Sequence, residues 1–207
     1  AATYTIAATV TDQNRQAIAG SGSFVVHPAK VYVGVRSERS VLREGEHTGI
    51  EAVAVDLDGA RTSGNAITVD FVRRETTRTP VEKAGSWSFE YKTSEVRVGG
   101  CALVSDTSPQ TCDVTPDTAG TYVARASTKD AEGHETRSEI SVYVHGTDEI
   151  IWDDSSDRRV DLVADKRKYA PGDTAKILLR SPFTDARGLV LVEREGIAAQ
   201  YKVVVQG

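Results

Sequence analysis

The sequence predicts an all-β protein made of antiparallel sandwiches in tandem, one complete and two partial. Three observations predict it. Apolar and polar residues alternate over short runs, the pattern of half-buried strands, and no stretch of ten or more residues keeps the helical period. Turn residues interrupt these runs at short intervals, as they do in sandwiches. The chain also repeats itself. YTIAATVTDQNRQAIAGSGSFVVH, Tyr4 to His27, lies over YVARASTKDAEGHETRSEISVYVH, Tyr122 to His145, without a gap and at a constant offset of 118. Self-similarity at a fixed period is the mark of an array.

A second, looser echo joins VYVGVRSERSVLREGEHTGIEAVAVD, from Val31, to VDLVADKRKYAPGDTAKILLRS, from Val160, with Gly45-Glu46 standing where Gly172-Asp173 stands. Further on, Phe71-Val-Arg-Arg-Glu75 resembles Leu191-Val-Glu-Arg-Glu195. The expected organisation is therefore 1–28, closing strands of one module; 30–146, a complete module; 147–158, an acidic linker; and 159–207, opening strands of a third. The two partial modules expose half a core each. They are expected to pair with one another, within or between molecules, or to be disordered.

Within the complete module, VYVGVRS alternates as one strand. IEAVAVDLDGARTSGNAITVDFVRRE reads as a hairpin turning at Asp58-Gly59, a dipeptide that accepts positive φ. WSFEYKTSEV places Trp87, Phe89 and Tyr91 on one face at period two. GTYVARASTKD and ETRSEISVYVHG close the module as a hairpin around Ala131-Glu132-Gly133. In KYAPGDTAKILL, Pro171 presets φ and Gly172 allows a bend, so the apolar run after them reads as a core strand. Asp117-Thr-Ala-Gly-Thr-Tyr122 resembles the tyrosine corner of immunoglobulin-like sandwiches, in which a buried Tyr hydroxyl returns to a nearby backbone group. Tyr4 holds the equivalent place in the first module.

Composition narrows the function. A net charge of −5, spread along 207 residues, argues against nucleic acid, which would require a basic face. No stretch approaches the roughly 18 apolar residues that cross a bilayer, and AATYTIAATV lacks the basic region of a signal peptide. The only cysteines, Cys101 and Cys112, bracket a turn-rich loop. They suit a disulfide across a hairpin and so an oxidising compartment, the alternative being two unpaired thiols that merely fall near one another. Two thiolates without a CxxC or HxxxH companion do not make a zinc site.

No catalytic constellation stands out, and the segment reads as non-enzymatic. His27, His47, His134 and His145 are scattered, and the repetition of His27 and His145 points to packing or capping at module boundaries. No G-x-S-x-G elbow, phosphate loop or HExxH is present. Asp148, Glu149, Asp153, Asp154 and Asp157 could gather around calcium, but a solvated hinge is the preferred reading. Asp56-Leu-Asp58-Gly59 is likewise read as a turn. Trp152, between apolar neighbours, is expected to pack between modules. No metal and no cofactor is expected.

These residues together resemble a family. DLVADKRKYAPGDTAKILLRSPF followed by GLVLVEREGI, after a module ending SVYVHG, resembles the bacterial α2-macroglobulins, in which macroglobulin-like sandwiches lead into the domain that carries a bait region. The resemblance implies a periplasmic, broad-range protease inhibitor in which bait cleavage collapses the array and a C-x-E-Q thioester captures the attacker. Its partners would be target proteases and neighbouring macroglobulin-like domains. An upstream lipoprotein signal would supply any membrane anchor. Here Cys101 is followed by Ala-Leu-Val and Cys112 by Asp-Val-Thr, so neither belongs to such a thioester, and no catalytic residue carries over. The alternative reading is an immunoglobulin-like segment of a bacterial surface adhesin.

Overall fold

The computed structural model describes residues 1–83, 85–146, 160–181, 183 and 186–205, and all the regular structure in them is strand. The acidic linker, with Trp152, lies outside the described residues. The strands are β1 (Ala2–Thr11), β2 (Ala17–Val26), β3 (Tyr32–Ser37), β4 (Val41–Arg43), β5 (Thr48–Val55), β6 (Ala66–Lys83) and β7 (Ser86–Val104). They continue with β8 (Gln110–Val114), β9 (Gly120–Lys129), β10 (Glu135–His145), β11 (Asp161–Ala164), β12 (Ile177–Arg180), β13 (Ala186–Glu193) and β14 (Ile197–Val205).

Strands β3 to β10 build a two-layer sandwich. One sheet has the order β3-β5-β8, the other β4-β10-β9-β6-β7. Every pairing is antiparallel except the short β4, which runs parallel to β10. Alternation along each strand sends one residue in two to the interior, as the pleat requires. Ile50, Ala52 and Ala54 of β5 therefore face Ile67, Val69 and Phe71 of β6, Tyr122, Ala124 and Ala126 of β9, and Val142 and Val144 of β10, all buried in one cluster. The Phe71 and Tyr122 rings stack with centroids 5.0 Å apart, a contact worth about 1 kcal/mol beyond the area it buries.

The structure corrects three expectations. The run from Ile50 to Glu75 is not a hairpin. Asp56-Gly59 does turn, with Asp56 accepting the amides of Asp58 and Ala60 on Oδ1 at 3.0 and 2.9 Å. The chain closes only a single bridge, Val55 to Arg61, and then crosses to the other sheet, so β5 and β6 face each other across the core. Cys101 and Cys112 are joined, but not across a hairpin: Cys101 lies on β7 and Cys112 on β8, the edge strands of opposite sheets. The bond thus clips the two layers together at one side, and closing so short a loop stabilises the fold by about 3 kcal/mol in the chain-entropy model. Finally, β12 is half-buried rather than a core strand.

Outside the sandwich stand three two-stranded pairs, β1-β2, β11-β12 and β13-β14. The β6-β7 ladder also outgrows the sandwich. β9 pairs with β6 only as far as Arg74, and beyond it, among the described residues, Glu75–Lys83 and the facing residues of β7 pair with each other alone. This arm is about 30 Å long at the usual rise per residue. Trp87, Phe89 and Tyr91 share its outer face, with Trp87 74% exposed and Arg78 set over the Phe89 ring at 4.7 Å.

Candidate interdomain junctions

Hydrogen bonds tie the sandwich to the chain before it and to the strand pair after it. At the N-terminal junction the organising residue is Asp130, in the turn between β9 and β10. A type of turn led by Asp recurs here. Asp130 Oδ1 accepts the amides of Glu132 and His134, as Asp12 Oδ1 accepts those of Asn14 and Gln16. Asp130 does more than Asp12, because its Oδ2 also accepts the amide of Lys30 at 3.0 Å and meets His134 Nδ1 at 3.2 Å. The carboxylate thus ties the residue that opens the sandwich to the turn that closes it. Led by the Lys30 amide, these donors lower the Asp130 pKa to about 2. Lys30 Nζ pairs with Glu132, the Thr136 hydroxyl donates to the Val31 carbonyl at 3.0 Å, and the His27 ring meets Tyr32 edge-on with Nδ1 and Oη 2.9 Å apart.

Asp130, Glu132 and His134 bring three possible ligand atoms within 4.8 Å of one another. They do not need an ion. Four donors already occupy the Asp130 oxygens, and Glu132 is committed to Lys30.

The C-terminal junction is a relay of backbone hydrogen bonds. The Tyr143 amide of β10 donates to the Ser40 carbonyl at 2.8 Å, the Ser40 amide to the Asp165 carbonyl at 2.9 Å, and the Asp165 amide to the Lys176 carbonyl at 2.9 Å. Three backbone hydrogen bonds in series thus connect the sandwich's last strand to the β11-β12 pair. The buried Asp165 side chain locks the relay: its Oδ1 accepts the Tyr169 hydroxyl at 2.5 Å and the Lys176 amide at 3.1 Å. The Tyr169 contact is the main reason its carboxyl is held below the ordinary range, and the same contact raises the Tyr169 hydroxyl. Beside it the Arg180 guanidinium lies 4.8 Å over the Tyr143 ring and donates to Tyr143 Oη at 3.3 Å, with Asp161 3.6 Å away.

The residues singled out in the sequence are spread over the sandwich core, its edges, its turns and the arm rather than gathered in one cleft. The Tyr122 hydroxyl donates to the Thr118 carbonyl at 2.7 Å, four residues back, and Asp117 accepts the Thr118 hydroxyl. His145 ends β10, and its carbonyl accepts the Glu44 amide at 3.1 Å. His47 faces Asp113 on the surface at 3.2 Å. Gly45 and Gly172 hold matching turns, with φ of 72° and 93°. The amides of Glu46 and Asp173 return to the carbonyls of Arg43 and Ala170, and their carboxylates take the amides of the same two residues. Sequence reasoning does not single out Lys30, Ser40, Asp165 or Arg180. Only Asp130 had a signal, its alignment with Asp12.

Comparison with known proteins agrees with this architecture. A relative from Nostoc sp., an alpha-2-macroglobulin homolog, is 26% identical over 209 residues, covering 99% of this chain but 11% of its own length. The native conformation of E. coli alpha-2-macroglobulin shares the fold with a TM-score of 0.51 at 16% identity, over 96% of this chain and 14% of that one. Salmonella alpha-2-macroglobulin reacted with methylamine gives a TM-score of 0.50 at 16% identity, over 99% and 14%. The family model described as bacterial macroglobulin domain 6 matches residues 34–143, more than half of the 207 residues. On that match, the chain belongs to the bacterial macroglobulin domain family, whose modules are non-enzymatic.

Proposed function

We propose that this chain is a load-transmitting section of a broad-range protease inhibitor of the bacterial α2-macroglobulin type, acting in the periplasm. In this reading residues 30–146 are one complete domain, 1–28 the closing strands of the domain before it, and 159–207 the opening strands of the domain that carries the bait, joined through the linker 147–158. Its partners are neighbouring macroglobulin-like domains and, through the whole protein, the proteases it meets. The relatives support an inhibitor over an adhesin, since they are macroglobulins.

The observation that carries the mechanical role is the relay Tyr143–Ser40–Asp165–Lys176. A linker alone would let the following strands swing. Three backbone hydrogen bonds, with a buried carboxylate and a stacked guanidinium beside them, make the sandwich and β11-β12 move together. A rearrangement begun on one side is thereby passed to the other. The test uses the whole protein incubated with several unrelated proteases. The native protein should be cut in one preferred zone and retain the protease. Ser40→Pro, which removes the amide donated to Asp165, should leave the cutting zone unchanged and reduce retention. Indifferent digestion without retention in the native protein would reject the inhibitor reading; unchanged retention in Ser40→Pro would reject the relay.

A further inference from the structure

The β6-β7 arm leaves the sandwich at the same end as the relay to β11-β12. Arg74, the last residue of β6 to pair with β9, stands opposite Thr121, and Thr121 stands opposite Tyr143, where the relay begins. β10 stops at His145, whereas the arm continues to Lys83, about 30 Å beyond Arg74. Its two faces differ. Tyr122, Val142 and Val144 point into the core, so alternation turns Tyr143, Thr121 and Arg74 outward, and the same outer face continues along the arm through Arg78, Pro80, Phe89 and Trp87. The opposite face of the arm sets Thr77, Thr79 and Val81 against Lys92, Glu90 and Ser88. On the outer face, the Arg180 guanidinium of β12 already lies over the Tyr143 ring.

The root of the arm is clamped on that face. Arg74 meets Glu95 at 3.2 Å and Glu139 at 3.8 Å, and Arg125 meets Glu95 and Glu139 at 3.2 Å each, which closes a ring of alternating charge over β6, β7, β9 and β10. The ring spans the row of Val72 and Val123, both buried although they point outward. A single surface ion pair contributes little, but a closed network holds its members in one geometry. The arm therefore keeps the direction of the sheet as it passes the junction.

We propose that the outer face of the arm is a strap that docks on the domain to which β11-β12 belong, with Trp87 and Phe89 seated on an apolar patch of that domain and Arg78 beside a carboxylate. This docking rests on the reading above that 159–207 open the next domain of an inhibitor. A sandwich seated at Tyr143 reaches the arm, because a sheet of four or five strands is about 15–20 Å wide and β6 lies about 10 Å from β10. Trp and Arg are enriched among the residues that dominate protein interfaces, and the rigid rings lose little entropy on docking. That domain is the occupant rather than a second copy, since β12 is already on this face and a tethered neighbour has a high effective concentration. With the relay alone the two domains share one contact, about which they can turn. The strap adds a second, well separated from the first, and so fixes their angle.

Photocrosslinking in the whole protein tests this, with p-benzoylphenylalanine in place of Trp87 or, on the opposite face, of Ser88. Both positions are exposed, so the sandwich stays folded. Irradiation should join position 87 to a residue beyond 159 of the same chain, several-fold more often than position 88, as read by mass spectrometry of the digested monomer. Adding Arg78→Glu should lower that yield, and an unchanged yield would reject the carboxylate beside Arg78. Crosslinks confined to a second copy or to residues before 30 would overturn the docking, as would equal yields at the two positions or no crosslink at all. Protease retention by the same native protein judges the inhibitor role apart. Crosslinking as expected without retention would sink that role and leave the strap, whereas retention with crosslinks elsewhere would do the reverse.

Discussion

The hairpins β1-β2 and β9-β10 have the same length of turn, the same Asp-led hydrogen bonds and the same cross-strand register, and yet one is bare and the other is the centre of a core. Tyr4 is 54% exposed and Tyr122 0%. Tyr4 stacks on Phe24, its own cross-strand neighbour, with centroids 5.8 Å apart, whereas Tyr122 stacks on Phe71 of the next strand. The comparison separates two kinds of information. Turn chemistry and alternation specify a hairpin locally, but what a residue contributes to stability is decided by the strands that come to lie beside it.

The largest test of that separation replaces the matched tyrosines. Tyr122→Ala empties a fully buried aromatic position and should lower stability by about 3–5 kcal/mol, read by chemical denaturation of the intact chain. Tyr4→Ala, the same change at the same place in the hairpin, should leave the main transition within about 0.5 kcal/mol. Equal losses would break the comparison. The next largest effect concerns the clip between the layers, which β1-β2 has no counterpart of. Replacing Cys101 and Cys112 together by serine should cost about 3 kcal/mol, visible as a lower thermal midpoint, with the amide exchange of β1-β2 unchanged.

Much of this contrast was legible in the sequence, because the repeat at offset 118 preserves the features that act over a few residues. The closing hairpin around Gly133, the returning hydroxyl of Tyr122 and the shared face of Trp87, Phe89 and Tyr91 are of that kind. Alternation, however, says which face a residue takes and not which strand becomes its neighbour. β5 and β6 therefore read as partners across Asp58-Gly59 although they belong to opposite layers, and the cysteines read as bridging a hairpin although they bridge the sheets. The junctions were harder still. The relay through Ser40 and Asp165 is made by backbone groups, which no side-chain pattern records. The arm's length was hidden for a related reason: Thr-rich residues 76–79 keep the strand pattern beyond the point where β9 stops.

A smaller effect separates Asp130 from Asp12. Only Asp130 receives an amide from outside its own turn, that of Lys30. Its folded pKa of about 2 lies below the ordinary value of 3.8, so the carboxylate adds stability that is fully present above about pH 4 and is lost as the pH falls through 2. Asp130→Asn should therefore lower stability at neutral pH and flatten the acid limb of the pH–stability curve between those values. A limb as steep as that of the native chain would show that other carboxylates set it.

The smallest effect lies in the turns themselves. The residue three after the leading Asp has positive φ in both hairpins, but it is Arg15 at 63° in one and Gly133 at 89° in the other. A side chain in this left-handed region costs about 1 kcal/mol, partly offset because glycine loses more freedom on folding. Arg15→Gly should thus stabilise β1-β2 by about 0.5 kcal/mol, seen as slower amide exchange in that hairpin. Gly133→Arg has open space for its side chain, so its cost should be that of the backbone alone. In the buried hairpin that cost must appear in global unfolding, because β9 cannot open without its neighbours. In the bare one the gain must stay local. If Arg15→Gly raised the global midpoint as much as Gly133→Arg lowers it, the two hairpins would belong to one cooperative unit, and the contrast between them would be one of exposure without independence.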